Sequence, residues 1–272
     1  MNDMKDKILS FIGKDFKIEL SYKMSFLMRI VGIFFSLSIW FFLARWVEKG
    51  IGNSIDLNFN YSYFAFILVG IASSEFQNSG LRGFSDKLRQ NQVTGTLEAL
   101  LVTPTNAFLI LWGSTLWEFI YSFINSVLFI CIGIIFFGVK ISISSIGGIL
   151  LALILSYMAF SSIGILSSSF ILVYKKGDPI NLAISSLSLL LAGIYYPQTI
   201  LPDYLKLLAK LLPITHFLKI MRGLLLEGAS IYEYADSYLY LLLFLIIFLP
   251  VSMIIFYFAY KIARIKGTLS YY

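Results

Sequence analysis

The chain contains long stretches with almost no charge, and basic clusters sit between them. From 138 to 174 the sole charged side chain is Lys140, and from 108 to 137 it is Glu118. A hydrocarbon core about 30 Å thick takes about 20 apolar residues as a helix. Runs of that length would leave a soluble protein with surface that water cannot wet. The sequence therefore describes an integral membrane protein, and its function has to be read from what interrupts the runs. Charged residues make up 13% of the 272, where soluble domains carry about 25%. The net charge of +6 does not point to nucleic acid, because the basic residues flank the apolar runs as topology signals do.

The runs predict an all-α membrane protein with six transmembrane helices, at 25–46, 61–79, 107–137, 146–173, 180–196 and 238–260. Barrel strands are excluded because each run is long and does not alternate. The third run, at 1.5 Å per residue, is about 45 Å long and must tilt or protrude. With a cytoplasmic N-terminus the inner segments hold 14 Lys and Arg and the outer segments 7. That asymmetry places both termini in the cytoplasm. Tyr61, Tyr63, Tyr195, Tyr196, Tyr238 and Tyr240 then fall near the outer interface, where amphipathic rings are favoured. Residues 1–24 lack the apolar stretch of a cleaved signal. Ile8, Phe11, Ile12, Phe16, Ile18 and Leu20 instead suit an amphipathic helix lying on the membrane. Cys131, the single cysteine, reads as a small buried apolar group, and no disulfide framework is possible.

Two connections are too long to be simple turns: an inner segment, 80–105, and an outer one, 197–237. In the inner segment Val93, Leu97, Leu100 and Leu101 form one apolar stripe, and Pro104 ends it. The opposite face carries Gln92, Thr96 and Glu98. Such a helix can lie on lipid or dock in a partner's groove. Lipid alone would favour Lys and Arg on the polar face, so the pattern favours a protein partner. In the outer segment Pro197, Pro202 and Pro213 separate short Leu-rich pieces that are too apolar to hang in water. Lys206, Lys210, Lys219 and Arg222 are expected to meet lipid headgroups, the alternative being an exit for anionic or amphiphilic cargo.

Glu75 in the second span and Glu118 in the third are intramembrane carboxylates, and these are functional candidates by default. Glu118 has three open readings: a structural or gating pair, a cargo contact, or an interfacial position. Asp178 before Pro179 reads as the N-cap of the fifth span. Small and hydroxyl residues crowd the fourth and fifth spans (Ser156, Ser161, Ser162, Gly164, Ser167, Ser185, Ser186, Ser188 and Gly193). Close helix packing or a Ser-lined path would each explain them. His216 is the lone histidine, and no second histidine or nearby cysteine completes a metal-ligand set with it. No phosphate-binding G-x-x-x-x-G-K-[ST] is present, and Gly13-Lys14 is followed by Asp15. Any ATP must be used by another polypeptide.

Three phrases carry a resemblance: Gly95-Thr-Leu-Glu-Ala-Leu-Leu-Val-Thr-Pro104, Gly193-Ile-Tyr-Tyr-Pro-Gln-Thr-Ile-Leu-Pro202, and Leu212-Pro-Ile-Thr-His-Phe-Leu-Lys-Ile-Met-Arg-Gly-Leu-Leu-Leu-Glu-Gly228. Each is similar to a hallmark of ABC-2 type exporter permeases. The first resembles the coupling helix between the second and third spans; the others resemble the outer re-entrant helices between the fifth and sixth. The match runs in order through nearly the whole chain, as one transmembrane domain over 1–272. Its parts are an amphipathic start (1–24), two helices (25–79), a coupling segment (80–105), three helices (106–196), re-entrant helices (197–237), and the sixth helix with a tail (238–272).

The resemblance implies a transport subunit rather than an enzyme. It implies a second permease copy, identical or related, an ABC ATP-binding subunit that holds the ATP and Mg, and no cofactor on this chain. Motion would enter through Gln92, Gly95, Thr96, Leu97, Glu98 and Leu101. The Pro213-Ile-Thr-His216 stretch is closer to the drug-export-like branch. The expectation is export of a drug, antibiotic or lipid-like amphiphile across the cytoplasmic membrane by alternating access. A polysaccharide, O-antigen or teichoic-acid exporter is the runner-up. A membrane-embedded enzyme is disfavoured because Glu75, Glu118 and His216 lie at different depths.

Overall fold

The structure, a computed structural model, describes residues 13, 23–50, 61–93, 95, 107–174 and 178–265. These form α1 (Lys23–Gly50), α2 (Tyr63–Val93), α3 (Ala107–Phe137), α4 (Ile146–Tyr174), α5 (Pro179–Leu191), α6 (Asp203–Lys210), α7 (Pro213–Arg222) and α8 (Ala235–Ile265). Short 3₁₀ pieces and one π-helical turn (Gly223–Glu227) join the last of them. No strand occurs among the described residues.

Four stretches are long and apolar enough to cross a bilayer: Lys23–Gly50, Thr115–Phe137, Ile146–Tyr174 and Ile231–Ile265. The second and fifth expected spans do not meet that measure. In α2, Glu75, Gln77 and Asn78 dilute an apolar first half. α5 has 13 residues, about 20 Å of helix, which is short for a 30 Å core.

α2 is the hub, packing on α3 along one side, on α4 along another and on α7 near its start. α8 packs along α4, and α1 lies against α2 and α3. The main core gathers around Phe76, Phe160 and Phe217, with Phe76 and Phe217 stacked at 5.6 Å between centroids. A second cluster joins α1, α2 and α3 through Leu37, Ile67 and Phe129. A third, toward the Val93 end, joins Phe84 and Leu88 to Ile165, Leu172 and Phe256.

Two sequence expectations change here. α2 does not stop at Ser79 but runs on to Val93 as one 31-residue helix. Charges at Arg82, Asp86, Lys87 and Arg89 end the hydropathic signal there. The helix nevertheless persists, because Leu81, Phe84 and Leu88 keep a buried face at helical spacing. Cys131 is exposed rather than buried. It shares the outward side of α3 with Ile134, Ile135 and Phe136, and hydrocarbon accepts an apolar group as readily as a protein core does.

Candidate functional site

One face of α2 is polar along most of its length. Glu75, Ser79, Arg82, Asp86 and Gln90 fall at i, i+4, i+7, i+11 and i+15, a single stripe. Two clefts open along it. One, of about 320 Å³, is lined by Glu75, Asn78, Ser79, Arg82, Gly83, Asp86, Lys87, Gln90 and Glu118. The other, of about 340 Å³, is lined by Arg29, Gly32, Ile33 and Ser36 of α1, Glu75 and Ser79 of α2, and Ser122, Asn125 and Phe129 of α3. Glu75 and Ser79 belong to both, so the clefts meet at mid-α2.

The two candidate carboxylates are brought onto this one surface. Lys87 Nζ lies 3.9 Å from Glu118 Oε1, both side chains partly exposed. Glu75 is exposed at the junction and makes no hydrogen bond or ion pair among the described residues. Arg29 reaches in from α1, donating to Asn125 Oδ1 at 3.4 Å and lying 4.2 Å from the Tyr121 ring centre. Beside the clefts, α2 is tied to α5. Gln77 Nε2 donates to Ser188 Oγ at 2.8 Å, and Ser185 Oγ donates to Asn78 Oδ1 at 3.1 Å.

At the start of α5 the expected cap is present and does more than cap. Asp178 Oδ1 accepts from Asn181 N at 3.1 Å and from Ser167 Oγ of α4. Asp178 Oδ2 accepts from Ser85 Oγ of α2 at 3.0 Å and from Asn181 Nδ2 at 2.6 Å. Asn181 Nδ2 also donates to Leu81 O at 2.9 Å. Three helices thus meet on one carboxylate. Only the cap was visible in sequence, because its partners lie ten to a hundred positions away.

Of the expected coupling residues, Thr96, Leu97, Glu98 and Leu101 lie outside the described residues, as do Leu100 and Pro104. Gln92 is buried near the end of α2, its amide without a hydrogen-bond partner among the described residues. Gly95, at φ +66°, donates from its N–H to Gln92 O at 3.2 Å. A left-handed glycine there ends the rod and turns the chain.

The outer prolines sit where short helices begin. Pro197 precedes the 3₁₀ turn Gln198–Ile200, Pro202 is the N-cap of α6, and Pro213 is the first residue of α7. α7 is inserted into the bundle, with Ile214, Phe217, Leu218 and Ile220 buried. Arg222 departs from the expectation of headgroup contact. Its Nη2 donates to Gly193 O at 2.9 Å, Ile194 O at 3.1 Å and Phe66 O at 3.3 Å. Its guanidinium lies 3.4 Å from the Phe66 ring centre. The uncapped carbonyls after α5 draw the cation inward more strongly than headgroups draw it out. Lys206 Nζ lies 3.0 Å from Oδ1 of exposed Asp203.

Four of the tyrosines expected near the outer interface bond or stack at this end of the bundle. Tyr63 donates to Tyr195 O at 2.7 Å, Tyr238 to Gly148 O at 2.8 Å and Tyr240 to Leu211 O at 2.7 Å. Tyr195 stacks on Trp40 at 4.4 Å. His216 is held between Lys210 O (3.0 Å from Nε2) and Ser237 Oγ (3.4 Å from Nδ1), and it stacks on Tyr240. Several buried serines of α4 bond within their own helix. Ser156, Ser162, Ser168 and Ser169 donate to carbonyls of their own helix, and Gly164 lets the Leu81 carbonyl approach.

No curated protein matches the chain significantly. A family profile, that of the ABC-2 type transporter, matches residues 15–226. It takes in the polar stripe, the Asp178 junction and α7. Members of that family form the membrane-embedded, non-catalytic part of a transporter and work with an ABC ATP-binding subunit. The chain belongs to the ABC-2 type transporter family.

Proposed function

We propose that this chain is the permease subunit of an ATP-driven exporter of amphiphilic drugs, antibiotics or lipid-like molecules. In this reading α1 to α5 and α8 all cross the membrane, with both termini cytoplasmic. Two copies face each other across a central path. Residues 92–101 rest on a separate ATP-binding subunit, and that subunit holds the nucleotide and Mg. Glu75 and the Lys87–Glu118 pair line the inner part of the route, and Pro197 to Arg222 form its outer closure.

The observation that carries the reading is the continuity of α2. A single helix bears the polar clefts at its middle and lower half and leads straight into Gln92 and Gly95. A push delivered at 92–101 would therefore tilt the wall of the cleft itself. Charged side chains at membrane depth need water or protein around them, which a central path between two copies supplies. The bonds from Asp178 to Ser85 and Ser167 would carry the same tilt to α5 and α4.

Co-expression with the ATP-binding protein encoded nearby tests the proposal. The two should purify together, and amphiphiles should alter ATP hydrolysis in lipid vesicles. Replacing Leu97 and Glu98 together should leave assembly intact and abolish that response. A response left whole in the double variant defeats the coupling assignment. Selective stimulation by saccharide carriers would move the cargo to the polysaccharide class.

A further inference from the structure

The geometry points to the nature of the cargo's headgroup: the joined clefts along α2 form a binding slot for an amphiphile carrying a cationic nitrogen, with Glu75 as its counter-ion. This rests on the transporter reading for the orientation of the slot and adds to it a class of ligand.

Glu75 stands at the meeting point of both clefts, exposed, without a hydrogen bond or ion pair among the described residues. A carboxylate halfway along such a helix is costly unless something compensates it. Two of the basic groups lining the clefts face other partners. Lys87 faces Glu118 at 3.9 Å, and Arg29 is engaged with Asn125 and the Tyr121 ring. Arg82 lines the same cleft two helical turns on and partly offsets the Glu75 charge without pairing with it. The slot thus presents, where the clefts meet, a carboxylate with no hydrogen-bond or ion-pair partner among the described residues.

The surroundings suit an ammonium group rather than a bare metal ion. Asn78, Ser79, Ser122 and Asn125 offer neutral polar contacts around Glu75. Phe129 adds an aromatic wall, which favours an organic cation. Among the described residues no group of three His, Cys, Asp or Glu side chains is placed to hold a metal. Each cleft exceeds 300 Å³, enough for a headgroup. Alongside, α1 exposes Phe35, Ile39 and Phe42, while its Gly32 leaves open space at the cleft wall. A tail can lie on that apolar face while the head enters between α1 and α3.

The test uses the purified permease in lipid nanodiscs, without and then with its ATP-binding subunit. Three probes share one twelve-carbon tail below micellar concentration: dodecyltrimethylammonium, dodecyl maltoside and dodecyl sulfate. Equilibrium binding should favour the ammonium probe over the maltoside by about tenfold, the worth of one charge-assisted contact. Glu75→Gln should erase that preference and leave maltoside binding unchanged; Glu75→Asp should retain part of it. An ammonium preference that survives Glu75→Gln overturns the inference while leaving the transporter reading intact. So does a Glu75→Gln protein that falls from dimer to monomer on cross-linking, since Glu75 would then be serving the second copy. A Glu75-dependent preference with no answering ATPase upholds the slot and counts against the transporter reading instead.

Discussion

Ser85 of α2 donates to Asp178 at the head of α5 across 3.0 Å, joining residues 93 positions apart. Ser85 is fully buried, and so are Ser167 and Asn181, the other donors to this carboxylate. Removing the carboxylate strips a helix cap, worth about 1 kcal/mol. It also strands buried donors, at about 1–3 kcal/mol for each one left unmade. Asp178→Ala should therefore lower the thermal midpoint in detergent by several degrees. Asp178→Asn, which can still cap and accept, should cost less. If the junction also conveys motion, Asp178→Asn should keep ATP hydrolysis by the assembled pair and lower the cargo moved per ATP. A proportional fall in both would reduce Asp178 to a structural role.

The contact of α4 with α2 makes a sharper prediction because it has an internal control. A Cβ on Gly164 would lie 2.5 Å from the Leu81 carbonyl oxygen, and backbone cannot swing aside as a side chain can. Gly164→Ala should destabilise by about 1–3 kcal/mol, the usual range for overpacking. Gly147, in the same helix, meets nothing within 4 Å. Gly147→Ala should be neutral or slightly stabilising, since alanine is the better helix former. Thermal unfolding of the two variants side by side decides it. Equal loss in both would mean that α4 and α2 do not pack through Gly164.

How far the sequence reveals this architecture depends on which force sets each feature. The apolar runs at α1, α3, α4 and α8 are visible because burial in hydrocarbon needs only length and composition. The Asp178 cap is visible because capping is local, with Pro179 beside it. The continuation of α2 to Val93 is hidden. Hydropathy registers where a helix leaves the membrane, not where it ends. The inward course of Arg222 is hidden too, since its partners at Phe66, Gly193 and Ile194 belong to other elements. Exposure of Cys131 could not be read at all, because lipid and protein core select the same side chains. Glu75 and Glu118 stood out singly. Only the fold shows that one is paired with Lys87 and the other is not.

His216 gives a pH dependence whose sign follows from its setting. Burial holds its pKa below the usual 6.5, against a smaller opposing effect of the bond to the Lys210 carbonyl. The neutral ring, donating from Nε2 to that carbonyl and accepting at Nδ1, satisfies both neighbours. In the unfolded chain the ring takes up a proton more readily. Protonation thus favours unfolding as pH falls below about 6.5, and this share of stability is intact above it. The thermal midpoint should decline from pH 7.5 to 5.5, and His216→Gln should flatten that decline. An unchanged slope in the variant would assign the dependence to carboxylates elsewhere.

Arg222 joins α7 to α2 and to the chain leaving α5. Gly70 makes the joint possible, for a Cβ there would lie 2.2 Å from the Ile194 carbonyl that Arg222 holds. The guanidinium does two things at once. Its Nη2 serves three carbonyls, and its plane lies over Phe66. A lysine head is shorter in reach than Nη2 and has no planar face to lie over Phe66. Arg222→Lys should therefore behave as a loss, destabilising by about 1–3 kcal/mol through carbonyls left without their donor. Phe66→Leu removes only the aromatic face, worth about 1–2 kcal/mol at a desolvated site. Because both changes strike one contact, the double variant should cost less than the sum of the singles by about 0.5–2 kcal/mol. Additive losses would show that Arg222 acts through the carbonyls alone. A fully stable Arg222→Lys would show that neither the reach of Nη2 nor the stacked plane secures α7.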